Sequence, residues 1–380
     1  RDWSSDVCSS DLWEIAEYYT KIFFADLEKL NCLKPQIIPK ATDHVPEMIE
    51  LIARLEEKGF VYRTSDGMYY DTSKFSSYAD FGRLDVENLE AGKRVAVGEK
   101  KNPTDFALWK FLPKDKKRQQ EWDSPWGRGF PGWHIECSAM AMKYLGETFD
   151  LHCGGIDHVT VHHTNEIAQS EAATGKRYVN YWLHGEFLNE DSGKMSKSKG
   201  ETLTLAVLER DGFSPMEYRF LLTQAHYRTG LRFSYDAMKA AQAGYRGLVD
   251  RLKELNATPV PIESKEALSQ VADFEKAIFD DLNMPQAMAV LFGVLKNPAL
   301  SPGEKLALAL DFDSVLGLRF EEALSAKEEI LPDEVQALVR ARDEARRAKN
   351  WAESDRLRGE LTSKGYLVED SSKGTKVKKS

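Results

Sequence analysis

Residues 193–200, GKMSKSKG, set three lysines and two serines between glycines at Gly193 and Gly200. Lysine is a compact charge on a flexible stem, so Lys194 and Lys197 can follow a phosphate whose charge shifts during reaction. The two glycines let the backbone close over it. A solvated basic turn is the bland alternative, and Met195 in the middle of the run weighs against it. Upstream, the chain from Gly132 to about Leu205 alternates strand, helix and glycine turn, which fits the second half of a doubly wound parallel sheet. Ligands of such sheets bind at the carboxyl ends of the strands, where His152, Asp157 and the 193–200 loop all fall.

The block PGWHIECSAMAMKYLGETFDLHCGGIDHVTVHHTNEIAQSEAATGK, Pro131 to Lys176, supplies Cys137, His162, His163 and Glu166. TNEIAQSEAATG reads as a helix that starts near His163 or Thr164 and stops at Gly175, so His162 and Glu166 lie one above the other on one face. One thiolate, one imidazole and one carboxylate suit zinc, with a fourth position open to a substrate. Each residue has a simpler reading when taken singly. A cysteine in an apolar helix such as IECSAMAM is more often a small buried hydrophobe, and a His-His pair at a strand-to-helix junction can serve capping or core hydrogen bonding.

KMSKS resembles the second signature of the class I aminoacyl-tRNA synthetases, whose loop stabilises the pyrophosphate leaving group as an amino acid is adenylated. The 131–176 block is similar over nearly its full length to cysteinyl-tRNA synthetase. That resemblance implies that Cys137, His162 and Glu166 bind one Zn2+, with His163 behind them. It implies that Trp133 closes the amino-acid pocket, that His152 lines it, and that Asp157, following Gly155, holds the ribose of ATP. Lys194, Met195, Ser196, Lys197 and Ser198 would all meet ATP, which Mg2+ accompanies, and Lys194 and Lys197 would be the catalytic pair. The implied fold is a Rossmann-like α/β catalytic domain followed by a helical anticodon-binding bundle and a small C-terminal unit. The implied reaction joins L-cysteine and ATP into cysteinyl adenylate, releases pyrophosphate, and passes the cysteinyl group to the terminal ribose of tRNA(Cys).

Zinc has a physical reason here. A pocket relying on shape rejects a near-isostere such as serine only by roughly a hundredfold, whereas a soft thiolate bound to the metal gains far more than a hydroxyl. Two positions depart from the family pattern: Cys153 stands where HGGG has glycine, and Thr164 where HHENE has glutamate. Neither removes a ligand, although spacing alone would enlist Cys153 as one.

The expected organisation is a foreign segment at 1–12, a catalytic domain at 13–225 with an insertion at about Ser73 to Asp123, a helical domain at 226–325, and a C-terminal helix with a basic tail at 326–380. Trp13 to Leu33 has helical spacing ended by Lys34-Pro35. A helix capped at Thr42 or Asp43 runs to Gly59. SKFSSYADFGRL reads as a surface excursion, and the charged stretch VQALVRARDEARRAKNWAESDRLRGELTSKG as one helix. The opening RDWSSDVCSSDL shows neither helical nor strand period. The family's His-Ile-Gly-His turn and Cys-Gly-Pro-Thr segment are absent from the sequence. The expectation for the chain as written is therefore weak or absent adenylation and looser zinc.

With 380 residues, 42% apolar and 30% charged, the chain has material for two or three domains. No apolar run approaches transmembrane length, and none reads as a signal peptide, so neither is expected. Four cysteines, Cys8 among them, make no disulfide framework and suit a reducing cytoplasm; a monomer is expected. A net charge of -9 confines tRNA contacts to local basic patches. Candidates are Lys110, Lys114, Lys116, Lys117 and Arg118, the helix Arg340 to Lys349, and the tail Lys373 to Lys379. Three other readings stand beside the synthetase: a cysteine:amino-sugar ligase, which would not need the long carboxyl half; a non-catalytic RNA- and zinc-binding paralogue; and a zinc hydrolase, which HHTNE fits poorly because it lacks the His-Glu-x-x-His order.

Overall fold

The computed structural model describes residues 11–84, 99–112, 118–190, 203–326, 331–371 and 374–379. In chain order it begins with α1 (Leu12–Lys29), α2 (Val45–Glu57), β1 (Val61–Arg63), β2 (Gly67–Tyr70), β3 (Phe106–Phe111), β4 (Gly129–Pro131), α3 (Trp133–Leu145), β5 (Phe149–Gly155), α4 (Thr164–Thr174) and β6 (Val179–Gly185). There follow β7 (Leu188–Glu190), α5 (Leu205–Arg210), α6 (Pro215–Leu222), β8 (Leu231–Phe233), α7 (Tyr235–Glu254), α8 (Lys265–Phe279), α9 (Met284–Lys296), α10 (Pro302–Leu316) and α11 (Phe320–Ser325). The last elements are α12 (Asp333–Arg347), α13 (Trp351–Ser363), β9 (Tyr366–Ser371) and β10 (Gly374–Lys379).

The chain forms two compact units. One comprises Arg1–Gly200, Leu221–Met238 and Val271–Phe292; the other comprises Glu201–Phe220, Lys239–Gln270 and Gly293–Ser380. In the first, β1 to β4 make an antiparallel sheet in sequence order, and β5 pairs in parallel with β6, the two joined by α4. Among the described residues, the segment expected as an insertion contributes one strand, β3, the third of a sheet whose other strands lie outside it. The core beneath the site is built by α2, β2, β3, α3 and α4, through Met48, Ile52, Leu55, Tyr70, Leu108, Trp109, Ile135 and Ala168. Helices α2, α3 and α4 are therefore clamped on one apolar layer, which fixes the distance between the side chains that α3 and α4 present.

Several elements differ from the sequence reading for local reasons. α1 stops at Lys29, well before Lys34-Pro35, because Asn31 adopts a left-handed conformation (φ 56°). α2 is capped by His44, with Thr42 and Asp43 in a 3-10 turn before it; Pro46 in the first helical turn sets the start there. The long charged helix is two, α12 and α13, broken at Lys349 (φ 57°) and restarted by Asn350, whose side chain accepts from the Glu353 N–H. Within it Arg342 is buried and donates from Nη1 to Thr375 Oγ1 at 2.6 Å, so it is not part of an exposed basic face. SKFSSYADFGRL runs at the surface, with Ser73, Lys74, Ser76, Ser77, Asp80 and Arg83 exposed, but it is anchored by Tyr78, which is buried and whose hydroxyl donates to Asn165 Oδ1 at 2.6 Å.

Candidate functional site

Three ligand-type side chains converge between α3 and the start of α4. Cys137 lies on the second turn of α3, Glu166 in the first turn of α4, and His162 in a π-helical turn, Val159–His163, that runs straight into α4. The wider π turn brings His162 round above Glu166, with its Nε2 2.9 Å from Glu166 Oε1. The ligand atoms of Cys137, His162 and Glu166 all lie within 4.8 Å of one another. Among the described residues a second group meets the same limit, His152, His163 and Glu166, and it shares the glutamate. The sequence reading had assigned His152 to a substrate pocket; in the structure His152 Nε2 sits 3.0 Å from Glu166 Oε2.

Glu166 is fully buried. Burial works to raise its carboxyl, but the His152 and His162 contacts and the fields of those rings overcome it and hold the group low, at about 2. Its Oε2 accepts from His152 and from the Tyr178 hydroxyl at 3.2 Å. Its Oε1 has no hydrogen-bond partner, since His162 Nε2, although near, stands outside hydrogen-bond geometry. Burial, aided by Glu166 and Glu136, pushes the Cys137 thiol up to about 12. Burial likewise holds His134 and His163 neutral, each down at about 3. An anionic carboxylate with one orphaned oxygen, a thiol kept from ionising by negative neighbours and imidazoles kept neutral form a set whose missing member is a cation.

Six of the eight histidines of the chain gather here. His134 Nδ1 and His162 Nδ1 share a hydrogen bond of 2.9 Å, and His163 Nδ1 pairs with His184 Nε2 at 2.8 Å. Trp133, 58% exposed, lays its ring 4.6 Å from that of His162, at the mouth of the site. Gly154 on β5 is pressed against the cluster: a Cβ there would lie 2.5 Å from His163 Cε1 and 2.8 Å from His158 Nδ1. Gly155 leaves room in the same way for Asp157, whose Oδ1 would be 2.5 Å from a Cβ. Asp157 itself is open to solvent beside His158.

Cys153 is exposed on β5 and belongs to neither ligand group. Lys194, Met195, Ser196, Lys197 and Ser198 lie outside the described residues, as do Lys114, Lys116, Lys117 and Cys8. Lys110 pairs with Asp66, and the Arg118 guanidinium lies over the Phe130 ring. Sequence reasoning missed His134, His184, Tyr178 and Phe81. Phe81, from the same surface segment as Tyr78, sets its ring 5.0 Å from Trp182 and 6.0 Å from His184. No motif marks these residues; the parallel register that sets Gly154 beside His184 brings that imidazole to the cluster, and the others arrive by tertiary packing.

Comparison with known proteins gives a consistent assignment. The family described as tRNA synthetases class I (C) catalytic domain matches residues 6–243, and the cysteinyl-tRNA ligase anticodon binding domain matches residues 329–377. Cysteine-tRNA ligase 1 of Burkholderia lata is 47% identical over 366 residues, 96% of this chain and 76% of that protein. The cysteine-tRNA ligase of Treponema denticola is 42% identical over 404 residues, 99% of this chain and 82% of that protein. Among solved structures, Mycobacterium tuberculosis methionyl-tRNA synthetase bound by methionyl-adenylate superposes with a TM-score of 0.52 at 14% identity, over 84% of this chain and 80% of that one. At that identity the match speaks for the fold alone.

Proposed function

This chain belongs to the cysteine-tRNA ligase family of class I aminoacyl-tRNA synthetases, and from that premise we propose how its own residues serve the reaction. The enzyme is an aminoacyl-tRNA ligase for cysteine. We infer that Cys137, His162 and Glu166 hold one Zn2+. The single observation that carries this is the fully buried, anionic Glu166, whose Oε1 lacks a hydrogen-bond partner while facing a thiol and an imidazole nitrogen.

When bound, the metal would supply a soft Lewis acid that prefers the thiolate of cysteine to the hydroxyl of serine. The protein's share is to keep the site ready for it. His134, neutral, bonds to His162 Nδ1 and so fixes which imidazole nitrogen faces Glu166. Trp133 covers the His162 side of the mouth, where an aromatic face can exclude water from a bound amino acid. Asp157 offers a carboxylate to the ribose hydroxyls of ATP, and Gly155 keeps the backbone there free of a side chain. Lys194 and Lys197, within the Lys194 to Ser198 run, oppose the phosphate charge, with Mg2+ on the nucleotide. The partners of this reading are tRNA(Cys), ATP and L-cysteine, in the cytoplasm, with one chain as the working unit. Among the described residues no helix is long and apolar enough to cross a membrane.

The test pairs metal analysis with substrate discrimination. Purified protein is expected to carry one zinc per chain, Cys137→Ser and Glu166→Gln to carry little or none, and both variants to lose preference for cysteine over serine in binding. Wild-type discrimination by a zinc-free protein would sink the proposal. Zinc affinity should also rise about tenfold per pH unit between pH 6 and 8, because the Cys137 thiol must release its proton to bind.

A further inference from the structure

The two oxygens of Glu166 are not equivalent. Oε2 accepts from His152 Nε2 at 3.0 Å and from the Tyr178 hydroxyl at 3.2 Å, while Oε1, with no hydrogen bond, faces His162 and Cys137. The terminal torsion of a glutamate is broad and roughly twofold, so backbone placement alone does not decide which oxygen is offered to a ligand. Something in the surroundings must decide it.

Tyr178, immediately before β6, is completely buried, and its ring packs edge-on against Phe149 at 5.0 Å. Its hydroxyl donates to Glu166 on α4, and a separate set of buried hydrogen bonds ties α4 to α3. Gln169 Nε2 donates to Ser138 Oγ and to the His134 carbonyl, both at 2.6 Å, and Ser170 Oγ donates to Ser138 Oγ at 3.0 Å. Buried as it is, the phenol would be left a stranded donor if it turned away from Glu166.

We propose that Tyr178 is a positioning residue: its hydroxyl, donating to Oε2, holds Glu166 in the rotation that presents Oε1 to a divalent cation beside Cys137 and His162. This rests on the metal-site reading above. The competing arrangement, an ion held by His152, His163 and Glu166, would have to use Oε2, which already has two donors. The observed bonds favour Oε1.

The inference is tested by measuring Zn2+ affinity of the full chain against a chromophoric chelator and the visible spectrum of the Co2+-loaded protein. Wild type, Tyr178→Phe, Tyr178→Leu and the exposed-site control Tyr181→Phe would be compared, each with a far-UV circular dichroism spectrum. Tyr178→Phe keeps the ring and its packing. It is expected to lower Zn2+ affinity by about 10- to 100-fold and to change the cobalt bands, with Tyr178→Leu, which also lacks the hydroxyl, shifting both in the same direction and Tyr181→Phe neither. A merely structural role would move thermal stability and leave affinity and spectrum alone. Wild-type affinity and cobalt bands in Tyr178→Phe would overturn the inference while the metal site stands. A wild-type protein that takes up neither ion would overturn the site itself. Should Tyr178→Phe fail to fold, an unaltered affinity and spectrum in Tyr178→Leu would count against the inference equally.

Discussion

At the scale of single residues, the site is a problem in burying ionisable groups. Six imidazoles share a few ångströms of space, and the fold tolerates them because burial keeps His134 and His163 neutral. An unfolded imidazole takes up a proton below about pH 6.5, whereas these two stay unprotonated in the fold down to about 3. The unfolded chain thus binds more protons in that window, and stability present above pH 6.5 is lost as the pH falls towards 3. Each group can contribute up to about 1.4 kcal/mol per pH unit. Urea unfolding of chelator-treated protein should show a midpoint that falls steadily from pH 7 to pH 5; a flat profile would mean that these imidazoles titrate normally. Cys137, His162 and Glu166 were legible as a set from their types and spacing taken together with the family resemblance of the block that holds them. Tyr178 and His134 were not, because a hydrogen bond between residues far apart in sequence leaves no periodic trace.

At the scale of elements, glycine and turn chemistry decide where side chains can meet. Gly154 is the clearest case, since β5 passes so close to His163 and His158 that a methyl group would overlap both rings. Gly154→Ala should destabilise the protein by about 1–3 kcal/mol and weaken metal binding together with it, read by urea unfolding and chelator competition on the same sample. Unchanged values would show that the rings can move aside. In the C-terminal pair of helices, the Thr375 hydroxyl accepts from buried Arg342 and donates to Asp343 Oδ1 at 2.6 Å, tying the β9–β10 hairpin to α12. Thr375→Val should cost about 1–3 kcal/mol by leaving the guanidinium short of an acceptor, and hydrogen exchange should speed up in β10 before it does in α13. Helix existence was readable here from period. The break at Lys349 was not, because a left-handed lysine carries no sequence signal comparable to glycine's.

At the scale of the whole molecule, α1 stands apart: it has no buried residue, and Trp13, Tyr18, Tyr19 and Phe23 are each roughly half exposed. Apolar surface of that kind drives association. Dye binding and light scattering should both fall in a Tyr19→Ser, Phe23→Ser double variant; equal signals would place the sticky surface elsewhere. The sequence by itself determined the family, the α/β class with its helical carboxyl half, and the identities of the three ligand-type residues. Those rest on motifs, and on the family resemblance the motifs carry, which read the same in any conformation. Only the tertiary structure decided that SKFSSYADFGRL is anchored through Tyr78 at Asn165, that Arg342 is buried, that His152 bonds Glu166, and that one oxygen of that glutamate is left open. Each of these joins chain segments distant in sequence, and such pairings are fixed by packing and by the need to satisfy buried polar atoms, neither of which exists before the chain closes on itself.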